Sequence, residues 1–444
     1  MTEPDEILDD VKNKDVKFIN LEFTDMLGAI KSVTIPSEQL ADSMSHGTWF
    51  DGSSISGFAR IAESDMYLKP DVDTYAILPW EPKDKATARF ICDVHGPDGK
   101  PFEGDPRYIL KRALKGASEM GFIFNTGPEL EFFLFKPNDG DSTPVPNDVG
   151  SYFDFSPKDA ASDVRNDIIL ALQKLGLYVE MSHHEVAYGQ HEIDFRYADA
   201  LKTADNALTF KHTVKAIAHM HGLHATFMPK PIFGINGSGM HVHQSLFTSN
   251  NENAFFDQND PYGLSVIAKN FIGGQLEHVR AMCAILAPTI NSYKRLVPGY
   301  EAPVYISWAR RNRSALIRVP SYSPGREKAI RAELRCPDPS CNPYLAFAIV
   351  LKAGLDGIKR KVEPPAPVEE DVYEFDDAQL KKFYIKTLPS SLDEAIAEFE
   401  KSELVKETLG GHLFSKYLTV KKLELDEYRI QVTPWEIDRY LKST

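Results

Sequence analysis

The chain has 444 residues, 43% hydrophobic and 26% charged, the composition of an ordinary globular protein with room for one large domain and a smaller one. With 64 acidic and 50 basic residues its net charge is −14, which argues against a general electrostatic footprint on nucleic acid but leaves room for a local basic pocket for a phosphorylated small molecule. Four cysteines are too few for a disulfide framework, the start at Met1 is acidic and unlike a signal peptide, and no apolar run approaches a membrane span, so a cytoplasmic protein is expected.

Residues 1–103 read as a small β-rich domain with one leading helix. Val16–Phe23 and Ala88–Val94 alternate as strands do, with the loop Asp51-Gly-Ser-Ser-Ile-Ser-Gly57 between them. After the break at Pro97–Pro101, Asp105-Pro106 opens a helix as an N-cap followed by proline would. From 104 to 444 amphipathic helices near 105–120, 158–175, 201–221, 262–286 and 342–360 are separated by strands near 127–136, 177–187, 191–198, 223–229, 240–247 and 331–336, the pattern of a large α/β or α+β domain. Lys361–Pro367 is a proline-rich connection, and the tail returns to helices.

Polar residues recur at every second position of the predicted strands. Glu129 and Glu131, His241 and His243, and Arg331, Glu333 and Arg335 would each project to one side. A sheet face that gathers carboxylates and imidazoles needs positive charge, and paired divalent cations are its simplest source. Eight arginines between Arg295 and Arg335 suit carboxylate and phosphate oxygens. No Walker-type loop is present, so a nucleotide would be held by other means.

Six stretches together carry a resemblance to the type I glutamine synthetase family over essentially the whole chain. They are Phe50-Asp-Gly-Ser-Ser-Ile55, Gly127-Pro-Glu-Leu-Glu-Phe132, His184-Glu-Val-Ala-Tyr-Gly-Gln-His-Glu192, Lys230–His241, Asn291–Pro303 and Asn342-Pro-Tyr-Leu345. The resemblance implies an α+β fold: an N-terminal β-grasp domain (1–103) and a catalytic domain (104–444) with a curved antiparallel sheet flanked by helices. It further implies two stacked hexameric rings with active sites between neighbouring subunits, and ATP-dependent amidation of glutamate through γ-glutamyl phosphate, with two or three Mg2+ or Mn2+ ions.

By motif match, Glu131, Glu185 and Glu192 would bind one metal, and Glu129, His241 and Glu333 the other. Asn236, Gly237, Arg295 and Arg335 would hold glutamate. Arg313 would stabilise the transferring phosphate, Arg318 would contact ATP phosphates, and His243, Ser245, Glu180 and Phe195 would form the adenine and ribose side. Glu301 would close over the site, and Asp51 would reach a neighbour's site and take a proton from ammonium. Arg60 resembles the arginine that couples glutamine binding to feedback inhibition in the non-adenylylated alpha-type branch, which this chain is closest to, and the stretch around Tyr384 argues against adenylylation. Segment 320–331 departs from the family pattern, and a small regulatory protein partner is compatible with this branch.

Plainer readings stand beside these. A single acid would be a solvated or ion-paired surface residue, and Arg310, Arg311 and Arg326 keep that reading. His183 and His184 would only pack or bond locally. Cys336 and Cys341 lack partner ligands for a metal. A ligase for a larger amine is opposed by the presence of both Asp51 and Glu301, and an inactive relative by the six intact Glu and His positions.

Overall fold

A computed structural model describes residues 4–443 apart from 54, 56–64, 138–143, 301, 324 and 384, so Arg60, Glu301 and Tyr384 lie outside the described residues. The N-terminal part builds a mixed sheet. Its strands are β1 (Phe18–Thr24), β2 (Ile30–Pro36), β3 (Thr48–Asp51), β4 (Asp65–Pro70), β5 (Ala76–Ile77) and β6 (Thr87–His95), ordered β2-β1-β6-β4-β3 with β5 on β6. β1 and β6 are parallel and the other pairs antiparallel. Ile7 and Val11 of α1 (Pro4–Asn13) and Leu40 of α2 (Leu40–His46) join Ile19, Leu21, Phe90 and Val94 in one core, so a second helix accompanies the expected leading one.

The larger sheet is organised by one 14-residue strand, β7 (Phe122–Phe135). With β8 (Val179–His184), β9 (Gln190–Phe195), β10 (Ala198–Asp199), β11 (His224–Thr226), β12 (Met240–Thr248), β13 (Trp308–Ala309), β14 (Ile317–Arg318) and β15 (Ala332–Leu334) it forms the order β13-β14-β15-β12-β7-β9-β8, with β10 and β11 also on β7. All pairs are antiparallel except the short β13–β14 contact. β7 starts five residues before the Gly127-Pro128 pair that reads as a strand entry, because β12 continues past it, with Phe122 opposite Thr248.

Helices cover the apolar face. α3 (Pro106–Glu119) opens with Asp105 accepting the Arg107 N–H at 3.0 Å and proline at the first position. α4 (Ser162–Lys174), α5 (Ala200–Met220), α6 (Val266–Leu286), α7 (Ser292–Arg295) and α8 (Pro343–Arg360) follow, then α9 (Asp377–Lys382), α10 (Leu392–Lys401), α11 (Glu403–Arg429) and α12 (Pro434–Tyr440). α6 begins at 266 rather than 262 because the Ser265 side chain caps it through the Ala268 N–H. α6 and α8 meet backbone to backbone: a Cβ on Gly274 would lie 2.2 Å from the Ala353 carbonyl and 2.7 Å from Gly357 Cα, so only glycine fits. Leu130, Phe132, Leu134, Val242 and Leu246 are buried in this core, which leaves their alternate neighbours facing the other side.

A buried guanidinium ties the smaller sheet to helices of the larger domain. Arg107 donates to Asp205 of α5 at 2.9 and 3.1 Å, to Asp93 of β6 at 2.7 Å and to Asp71 at 2.7 Å. Tyr344 of α8 donates to the same Asp205 carboxylate at 2.6 Å. Among the described residues no helix is long and apolar enough to cross a membrane.

Candidate functional site

The strand register lines up charged residues across six strands. Arg318 pairs with Glu333, Glu333 with His243, His241 with Glu129, Glu131 with Glu192, and Glu192 with His183. Directly opposed side chains share a face, so the period-2 spacing along each strand becomes a continuous polar surface across the sheet. Two cavities open on it and meet at Glu129 and Met181.

The larger, about 470 Å³, holds Glu129, Glu131, Glu185, Glu192, His241 and Glu333 together with Asn236, Gly237, Arg295, Arg313, Arg318 and Arg335. The smaller, about 310 Å³, holds Glu180, Phe195, His243 and Ser245. The first group contains every described residue that the sequence reading gives to metal, glutamate or transferring phosphate; Asp51, read as taking a proton from ammonium, is not in it. Asp51 ends β3 in the other sheet and lines neither cavity; its carboxylate accepts the Ser53 N–H at 2.8 Å.

Within the larger cavity, Glu333 sits 2.5 Å from Arg318 Nε and 3.2 Å from Arg335 Nε, although neither contact is aligned as a hydrogen bond. Arg335 therefore carries buried N–H groups with no hydrogen-bond acceptor among the described residues, the state expected of a fork that receives a ligand oxygen. The Arg295 guanidinium is held from behind by the carbonyls of Arg335, Cys336 and Pro337 at 3.0–3.3 Å. Glu131 accepts from the Gln190 amide at 2.8 Å and the Gly239 N–H at 3.0 Å.

The electrostatics call for cations. Burial pushes the Glu131 carboxyl up to about 7, against the pull of Arg295. Burial and then the charges of Asp194, Glu131, Glu129 and Glu185 raise Glu192 well above the ordinary range. Glu129 is held well below it, against burial, by His243 and His241. Neighbouring buried carboxylates cannot all ionise unless positive charge enters. Two groups of donor atoms, each within 4.8 Å of one another, suit a divalent ion: Glu129, His243 and Glu333, and His183, Glu185 and Glu192. Carboxylate-rich sets with an imidazole match Mg2+ or Mn2+ better than a thiolate metal.

These groupings differ from the expected ones in two respects. His243 closes on Glu129 at 2.7 Å, while His241 lies at 3.3 Å from Glu129 and 3.8 Å from Glu333, so both imidazoles reach the same carboxylate. His183, expected to pack or bond locally, lies 3.5 Å from Glu185 and 3.4 Å from Glu192, beside the ligand carboxylates. Asp194, Arg331 and Lys328 also line the smaller cavity without a role in the sequence reading. Asp194 and His183 were findable, since each is two residues from a proposed ligand and therefore on its face. Arg331 donates to His243 Nδ1 at 3.0 Å, a contact that only the folded register reveals.

A β-grasp sheet beside a sheet whose face gathers donor groups suited to divalent ions fits one class, the ATP-dependent carbon–nitrogen ligases, and the similarities that follow show it. The glutamine synthetase catalytic-domain profile matches residues 103–440 and the β-grasp-domain profile residues 15–97. Glutamine synthetase of Methanosarcina mazei is 55% identical over 99% of this chain and 98% of its own, and that of Thermotoga maritima 52% over 97% and 98%. Among solved structures, the GmaS–ADP complex aligns with a TM-score of 0.89 at 33% identity, covering 99% of this chain and 100% of that one. The Plasmodium falciparum glutamine synthetase aligns with a TM-score of 0.89 at 27% identity, covering 99% of each. The chain belongs to the glutamine synthetase family. It forms glutamine from glutamate and ammonia at the expense of ATP, and the family's use of a divalent metal agrees with the donor groups above.

Proposed function

We propose the following division of labour for this ligation. The larger cavity takes glutamate and the ions, and the smaller takes the nucleoside of ATP, so that the γ-phosphate arrives where the cavities meet at Glu129. That junction is the observation that carries the reading. Glu131, Glu185 and Glu192 hold one ion, with His183 beside them, and Glu129, His241 and Glu333 hold the other, with His243 able to share it. Bound there, Mg2+ or Mn2+ neutralises the polyphosphate and the charge that develops during transfer.

Asn236 and Gly237 with Arg295 and Arg335 orient glutamate so that its γ-carboxylate oxygen faces the phosphorus. Arg313 and Arg318 stabilise the phosphoryl group as it moves, ADP leaves, and an acyl phosphate remains. Glu180, Phe195, His243 and Ser245 seat the base and ribose. Asp51 takes a proton from ammonium, ammonia attacks the acyl carbon, and phosphate departs. Glu301 closes over the acyl phosphate and keeps water away. That Asp51 lines neither cavity of its own chain supports a site shared between subunits of a double-ringed dodecamer. The profile matches meeting between 97 and 103 support the division at 103/104, and four free, buried cysteines support a cytoplasmic location.

The test is a coupled glutamine-forming assay at varied magnesium with wild type and Glu333→Ala. Loss of one ligand carboxylate should lower turnover at least about 100-fold. Turnover within a few-fold of wild type at every magnesium concentration would refute the assignment.

A further inference from the structure

Behind the hairpin that carries Glu185 and Glu192 lies a buried charged network that the chemistry above does not use. Each of these acids follows a histidine, and strand alternation sends that histidine to the opposite side. His184 and His191 are cross-strand partners, fully buried, with rings 4.8 Å apart and nearly perpendicular.

His184 has an oxygen before each ring nitrogen. Nδ1–H donates to the Glu185 carbonyl at 2.7 Å and Nε2–H to the Asp148 carboxylate at 2.9 Å. Asp148 also accepts the backbone N–H of Gly189 at 3.0 Å, of Ala160 at 3.2 Å and of Gly150 at 3.3 Å. One carboxylate thereby ties the β8–β9 turn to the 147–160 loop. A Cβ on Gly150 would lie 2.5 Å from His184 Nε2, so the loop can approach this closely only as glycine. Arg165 of α4 donates to His191 Nδ1 at 2.9 Å and is itself gripped by Asp159 at 2.5 and 3.0 Å. The cluster Asp148, His184 and His191 has metal-like spacing, but its imidazole nitrogens are occupied and a guanidinium stands against it, which excludes a divalent ion there.

We propose that Asp148, acting through His184, is a positioning residue for cation binding by Glu185, and that Arg165, acting through His191, plays the same part for Glu192. The inference rests on the reading that Glu185 and Glu192 hold an ion. Partners behind metal ligands fix their orientation, and losing one weakens affinity about 10–100-fold.

Mn2+ binding to the full-length protein, followed by electron paramagnetic resonance of free Mn2+, separates the two claims. Glu185→Gln should remove or greatly weaken one class of Mn2+ site; if it does not, the ion assignment itself is wrong. Given that loss, Asp148→Asn should weaken the same class about 10–100-fold while circular dichroism and kcat at saturating Mn2+ stay near wild type. The apparent KM for Mn2+ should rise in step, and Asp167→Asn, in the exposed His221 pair, should change nothing. Should Asp148→Asn fail to fold, His191→Gln, which keeps an acceptor for Arg165, tests the Arg165 arm with an expected weakening of about 10-fold, the low end for lost outer partners. A Mn2+ affinity within twofold of wild type in a folded variant would overturn the proposal.

Discussion

Asp105 shows how one residue's environment sets a measurable trend. Burial, and then the charge of Asp93, push its carboxyl from 3.8 up to about 7. An acid whose pKa is higher in the folded than in the unfolded chain takes up protons on folding between these values. Its contribution to stability is therefore greatest at the acid end and is lost as pH climbs to about 7. Asp105→Asn keeps an acceptor for the α3 cap but does not titrate. The melting temperature of the variant minus that of wild type should thus grow from pH 4.5 to about 7.5, and thermal scans showing a constant difference would exclude this origin. At the same scale, Glu129 and Glu131 lie two residues apart yet are driven in opposite directions, down by two imidazoles and up by burial. Their alternation was legible in the sequence. The sign of each shift was not, because that of Glu129 depends on His243, more than 100 residues away, and that of Glu131 on its burial in the folded sheet.

Between residues and the whole chain, the wall of the smaller cavity hangs on one side chain. The Asn253 amide donates to the carbonyls of Ile330 at 2.8 Å, Lys328 at 3.0 Å and Glu327 at 3.4 Å, holding the turn whose residues 328–330 line that cavity. Asn253→Ala leaves these carbonyls without the donor, a loss of about 1–3 kcal/mol. Steady-state kinetics should show roughly a tenfold rise in KM for ATP, within that energy range, with KM for glutamate unchanged; equal changes in both would mean a general loosening instead. Nothing in local sequence marks Asn253, because its partners come from a segment some 75 residues on. Helices were more legible: α3 starts where Asp105-Pro106 places it, and α8 opens at Asn342-Pro343 with the Tyr344 N–H bonded to the Asn342 side chain. Strand ends were less so, since β7 extends as far as β12 gives it partners.

For the whole molecule, the position of Asp51 separates a complete single-chain site from a shared one. It sits on an edge strand of the smaller sheet, outside both cavities, while Arg107 fastens that sheet to α5 of the larger domain. If neighbours exchange Asp51, mixed oligomers of Asp51→Asn and Glu333→Ala, each nearly inactive alone, should regain up to about a quarter of wild-type activity after co-refolding, since one site in four would be intact in a random mixture. Absence of recovery in demonstrably mixed particles would confine the site to one chain. The class of the fold and the acidic face could be read from alternation and motif order. The meeting of two cavities at Glu129 could not, because it requires six strands in register.

The central claim is that this face makes the glutamate γ-carboxylate reactive by transferring a phosphoryl group to it. The direct measurement follows 18O from glutamate labelled in that carboxylate during turnover with ATP, ammonium and magnesium. One labelled oxygen should appear in each inorganic phosphate released, and the transfer should vanish with chelator or in Glu129→Gln. Phosphate free of label, formed alongside glutamine, would contradict the account.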